Sequence, residues 1–142
     1  MNHITFTVPG APRGKGRPRI STAGGFARAY TPEQTANYEN LVKLAYREKY
    51  HESFEQSAVG MRISAYYAIA TSASKKKRLA MLDGTIFPKG KPDADNVAKI
   101  VCDALNGIAY HDDTQVIYLE VSKRYAEIPR VEIEIWEIRE VQ

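Results

Sequence analysis

The sequence predicts a single α/β (α+β) domain, a mixed four-stranded sheet with helices packed mainly on one face. Three observations carry this. The chain has 142 residues, the usual size of one domain. Its 44% hydrophobic and 26% charged content suits a packed core rather than wholesale disorder. Apolar periodicity then alternates between 2 and 3.6 along the chain, giving the order β-α-β-α-α-β-β. There is no internal repeat or linker, so residues 1–142 read as one domain.

Residues 3–8, His-Ile-Thr-Phe-Thr-Val, alternate polar and apolar and predict a strand, which Pro9, Gly10 and Pro12 stop. Residues 10–30 are rich in Gly, Pro and Arg and predict a basic, flexible loop, long enough to suggest a function. Thr31-Pro32-Glu33 has the form of a helix start, with Thr31 as N-cap and Pro32 at the first helical position. Tyr38, Leu41, Val42 and Ala45 then mark one face of a helix running to about Tyr50. Residues 59–70 predict a second, central strand. Ser74 to Leu82 predicts a short basic helix closed by Gly84. After a loop over 85–92, a helix is expected from about Asp93 to Asn106, with Gly107 at its C′ position. Two strands finish the chain, at about 115–125 and 130–138, the second alternating Val131, Ile133 and Ile135 with Glu132, Glu134 and Glu137.

Several function classes are disfavoured at this level. The N-terminus has no apolar run behind a positive segment, as a signal peptide would. No stretch approaches the roughly 20 apolar residues of a membrane helix. Cys102 is the single cysteine, and no Cys/His cluster suggests zinc. A cytoplasmic, reducing compartment, without membrane or small-molecule cofactor, is the expectation. The net charge of +3 is modest, but it is segregated. Residues 1–32 carry Arg13, Lys15, Arg17, Arg19 and Arg28 with no acid, and residues 74–92 carry Lys75, Lys76, Lys77, Arg78, Lys89 and Lys91 against Asp83 alone. The remainder is therefore acidic. Such segments suit a polyanion, although a basic run is more often a solvated face. Arg13, Lys15, Arg17, Arg19, Lys75, Lys76, Lys77, Lys89 and Lys91 are the candidate DNA contacts, each phosphate neutralised adding about 0.9 to the salt slope.

The informative segment runs from Lys91 to Val116. Val97, Ile100, Val101, Ala104 and Leu105 form a buried stripe, while Asp95, Lys99, Asp103 and Asn106 fall on the opposite side. Asp93 and Asp95 sit at the helix start, where the dipole and free N–H groups favour carboxylates. Capping and an Asp–Lys pair explain one acid comfortably, at about 1 to 2 kcal/mol, but not the set. Asp93, Asp95, Lys99, Asp103, Asp112 and Asp113 fall within 21 residues. Crowded carboxylates are costly unless a cation neutralises them. Oxygen ligands without Cys or His select Mg²⁺, with Mn²⁺ a plausible substitute. Such an ion polarises a phosphoryl oxygen and acidifies bound water, and a nearby lysine neutralises charge on the phosphate. An EF-hand fails, because Asp95 is followed by Asn96, Val97 and Ala98. The Asp-x-Asp-x-Val pattern of haloacid-dehalogenase phosphatases belongs at the end of an apolar strand, whereas Lys89-Gly-Lys-Pro precedes it here.

Lys-Pro-Asp-Ala-Asp-Asn at 91–96, Lys99, Asp103-Ala-Leu-Asn-Gly and Asp-Asp-Thr-Gln-Val at 112–116 together resemble the RusA family of Holliday-junction resolvases. Gly14-Lys-Gly-Arg-Pro-Arg and the helix at 32–50 extend the resemblance over most of the chain. The resemblance implies a RusA-like fold and a homodimeric, Mg²⁺-dependent endodeoxyribonuclease that nicks four-way DNA junctions symmetrically, in recombination and repair. It implies Asp93, Asp95 and Asp113 as the catalytic, metal-holding acids and Lys99 as the active-site lysine. The N-terminal basic loop is longer than the family versions. The open alternatives are a metal nuclease on other branched or flapped DNA, a non-catalytic DNA-binding module and, more weakly, an RNA-directed nuclease.

Other residues carry less. Asn96, Asp103 and Asp112 are candidates to support the metal ligands from behind, and Asn96 fits helix capping equally well. Asp112 reads first as a turn acid, Asp103 as a partner of Lys99, and His111 as an exposed turn histidine. Cys102 falls on the helix boundary as a packed or half-buried thiol. Phe87 and Tyr110 could stack on unpaired bases, with core packing the preferred reading for Tyr110.

Overall fold

The structure, a computed structural model, describes residues 1–17, 19–30 and 32–141, without the side chains of Arg19 and Tyr30. Alternation dictates the sheet. Strand β1 (His3–Pro9) buries Ile4, Phe6 and Val8, and β6 (Arg130–Glu137) buries Val131, Ile133 and Ile135. Between them and the far edge lies β4 (Val59–Ala68), with Met61, Ile63 and Ala65 inward. Strand β5 (Val116–Ala126) closes the order β1-β6-β4-β5. Only β4 and β5 run parallel; the β1–β6 and β4–β6 pairs are antiparallel. The sheet is therefore mixed and four-stranded, with β4 internal, as expected.

Helix α1 (Glu33–Lys49) packs Tyr38, Val42, Ala45 and Tyr46 onto this face, and α3 (Ala94–Leu105) adds Val97, Ile100, Val101, Ala104 and Leu105. These side chains share one core with the inner face of β1, β6 and β4. The opposite face carries an exposed network in which Arg62 bonds Glu120 at 2.6 Å and also pairs with Glu134. Helix α2 (Lys75–Leu82) lies near β5, with the Ser74 hydroxyl accepting from Lys77 N at 3.2 Å. Gly84 and Gly107 both follow helix ends with φ of +82° and +77°, the left-handed conformation that glycine adopts at low cost.

Two expectations need correction. The basic stretch at 10–30 is not simply a loop: β2 (Arg19–Ser21) and β3 (Arg28–Tyr30) pair as a separate two-stranded antiparallel sheet. Helix α1 starts one residue later than expected, with Pro32 as its N-cap and no side-chain cap; the expected cap Thr31 lies outside the described residues. The strand expected at about 115–125 is present as β5, preceded by a short 3-10 turn, Asp113–Gln115.

Candidate active site

The site is built around the mouth of α3. Asp93 occupies the N-cap beside the positive end of the helix, yet its side chain makes no capping hydrogen bond, and its carboxylate has no partner among the described residues. Both Asp93 and Asp95 are exposed. The preceding segment is tied to the sheet: the Tyr67 hydroxyl donates to Pro92 O, and Lys123 Nζ donates to Gly90 O at 2.7 Å. Burial first, and then the charge of Asp93, push the Tyr67 hydroxyl up to about 12.

Residues 12–17 lie against this mouth. Lys15 N donates to Asn96 O at 3.2 Å, and Gly16 N donates to the Thr35 hydroxyl at 3.0 Å. A Cβ on Gly14 would stand 3.0 Å from Pro92 Cβ, and one on Gly16 would stand 2.6 Å from Thr35 Oγ1. The Gly-x-Gly spacing thus lets the backbone seat between the starts of α1 and α3. Sequence reasoning missed this docked strap, although the two glycines were its visible signal. Between strap and helices opens a cleft of about 830 Å³ whose cationic lining is Arg13, Lys15, Arg17 and Lys91, with Asp93 on the same wall.

Lys15 does not stand free in that cleft. Its ammonium bonds Glu39 at 3.0 Å and Asp103 at 3.2 Å and is largely covered. Burial lowers its pKa, but the two carboxylates outweigh burial and raise it. Arg13, Arg17, Lys89 and Lys91 are exposed, as are Lys75, Lys76 and Lys77 along α2. For Arg19 the side chain is outside the described residues.

The second group of acids lies toward the other end of α3. Lys99 projects into solvent, its ammonium 3.9 Å from Asp103 Oδ2. Desolvation first, then the hydrogen bond and charge of Asp112 and the charge of Asp103, raise the Asp113 carboxyl above the usual range, with Lys99 opposing them. Asp112 is a turn acid: its carboxylate accepts from Thr114 N at 3.3 Å, in a capping box with Gln115. His111 is exposed. Tyr110 is buried and donates to Cys102 O at 2.9 Å, which is core packing, whereas Phe87 is 58% exposed.

The donor chemistry at the mouth of α3 suits magnesium, which takes oxygen ligands and often only one or two carboxylates, keeping water and substrate phosphate for the rest. Asp93 and Asp95 meet that demand. Among the described residues, however, no three His, Cys, Asp or Glu side chains are grouped so as to hold an ion. Asp113 shares its surroundings with Lys99, Asp103 and Asp112.

An α+β domain that sets free carboxylates at a helix mouth beside a cationic cleft is built to handle a polyanion. Comparison with known proteins agrees. The family model of endodeoxyribonuclease RusA matches residues 9–136. A crossover junction endodeoxyribonuclease, RusA, of Lactococcus phage r1t is 31% identical over 121 residues, covering 84% of this chain and 85% of the phage protein. The uncharacterised protein YqaN of Bacillus subtilis (strain 168) is 39% identical over 140 residues, covering 97% of this chain and 99% of its relative. The chain belongs to the RusA endodeoxyribonuclease family. No helix among the described residues is long and apolar enough to cross a membrane.

Proposed function

We propose that the protein is a Mg²⁺-dependent endodeoxyribonuclease that resolves Holliday junctions by paired symmetric nicks, acting as a homodimer in the cytoplasm during recombination and repair. The observation that carries this reading is the free Asp93 carboxylate at the α3 mouth, on the wall of a cleft lined by Arg13, Arg17 and Lys91. Family membership supports the substrate class, since the phage relative is named for crossover junctions.

Asp93 and Asp95 would hold the metal, and Asp113, which stands apart from them beside Lys99 and Asp103, would join as the third ligand. A divalent ion held there would supply Lewis-acid polarisation of a phosphoryl oxygen and lower the pKa of bound water. Lys99, exposed beside Asp103 and Asp113, would neutralise charge gathering on the phosphate. Arg13, Arg17 and Lys91 hold the backbone of the bound strand in the cleft, and Lys75, Lys76, Lys77 and Lys89 extend the cationic surface. Lys15 keeps the strap in place through Glu39 and Asp103, and Asp112 holds the turn from which Asp113 projects. Asn96 anchors the strap through its carbonyl. Two protomers around a two-fold axis would present two such sites to opposed strands.

The dispersal of the acids favours a second reading, a DNA-binding module without catalysis. Asp95→Asn separates the two. The variant should lose at least 100-fold in Mg²⁺-supported junction cleavage, an order typical of losing one group that stabilises a transition state, with junction affinity within about twofold. Retained cleavage would remove Asp95 from the site, and wild-type binding without cleavage in any metal would establish the binding module.

A further inference from the structure

The most exposed apolar side chains near the cleft lie in the β2–β3 hairpin. Ile20 is 74% exposed and Phe26 is 70% exposed. Large apolar groups held in water without a partner mark a surface that meets something. Both ends of the hairpin leave from the cleft: Arg17 and Pro32 line it, and the paired strands occupy residues 19–30 between them. The tip is a tight turn, with Gly24 and Gly25 both at φ +84° and Gly25 N donating to Thr22 O at 3.1 Å. The segment from Arg17 to Arg28 contains no acidic residue, and Arg17 and Arg28 are exposed.

Apolar side chains on a cationic, acid-free arm are complementary to one partner, nucleic acid whose bases are open to stacking. Phe and Ile are among the side chains that insert between base steps, and an aromatic ring stacks on any base regardless of sequence. A like-charged hairpin of a second copy fits poorly, because the segment offers no carboxylate to offset its arginines. We infer that the β2–β3 hairpin is a wedge whose Phe26, supported by Ile20, stacks on unpaired bases at the branch point while Arg17 and Arg28 hold the flanking phosphates. This rests on the junction reading proposed above and gives it a structural source of selectivity: linear duplex offers the wedge no open base.

The test uses the full-length protein with Ca²⁺ in place of Mg²⁺ to suppress cleavage. The probes are a four-way junction carrying 2-aminopurine beside the branch point and a linear duplex of matched sequence. Wild type should change 2-aminopurine emission on the junction alone. Phe26→Ala should abolish that change and bind the junction about tenfold more weakly, the scale of one lost base–aromatic stack. Its duplex affinity and melting temperature should be unchanged, and Phe26→Trp should restore the signal. Unaltered emission and junction affinity in Phe26→Ala would overturn the wedge while leaving the junction reading intact. A change of oligomeric state in Phe26→Ala, read by light scattering, would overturn it in favour of a contact between copies. Wild type that does not prefer the junction would overturn the wedge and the junction reading together.

Discussion

The Lys15 ammonium lies between two carboxylates, Glu39 at 3.0 Å and Asp103 at 3.2 Å, and joins the N-terminal strap to α1 and α3. Lys15→Met would leave two partly covered carboxylates without their cation. Chemical unfolding should show a loss of about 1–2 kcal/mol, the cost of stranding such groups; unchanged stability would mean the pair is fully screened. The buried weak acids give a second expectation. Burial, in each case the largest cause, pushes the Cys102 thiol from 9.0 up to about 11 and the hydroxyls of Tyr38, Tyr46 and Tyr67 from 10.0 up to about 12. Their neutral forms are favoured in the fold, so this stability is complete below the unfolded values. It is lost as pH rises, because the unfolded chain releases these protons first. The urea midpoint should hold to about pH 9 and fall steadily between pH 9 and 12. A flat midpoint across that range would contradict the burial of these groups.

At the scale of elements, α3 and the strap define the site together. Gly16→Ala would drive a methyl group to 2.6 Å from Thr35 Oγ1 and displace the strap from α1. The expected cost is about 1–3 kcal/mol, as for other overpacked contacts, accompanied by faster proteolysis within residues 10–30. Unchanged protease resistance would show that the strap is not held through this contact. α3 was legible in the sequence because its apolar stripe and its terminating Gly107 are local signals. β1 and β6 were legible because strict alternation survives wherever one face of a sheet is buried. The strap was not, since what holds it lies far along the chain: Gly14 meets Pro92 and Asn96, and Lys15 meets Asp103. The β2–β3 hairpin escaped for another reason. Strands of three residues are too short to display a period, and glycine-rich composition hid the pairing. The acids were readable as a set, but their division between the two ends of α3 follows from the turn at Asp113–Gln115, which periodicity does not report.

Across the whole molecule, charge follows function. The outer face of the sheet pairs Arg62 with Glu120 and Glu134 and so neutralises itself. The strap instead leaves cations exposed beside the acidic mouth of α3, while the hairpin and α2 carry exposed cations of their own. A surface of that kind gathers phosphates by long-range attraction. The central claim is that these carboxylates cut branched DNA in pairs. The most direct measurement is product mapping on a synthetic four-way junction and a matched linear duplex, each incubated with Mg²⁺ or EDTA. Two symmetric nicks in opposed strands of the junction, only with Mg²⁺, and an intact duplex are the predicted result. Equal cutting of both substrates, or cutting that persists in EDTA, would contradict it.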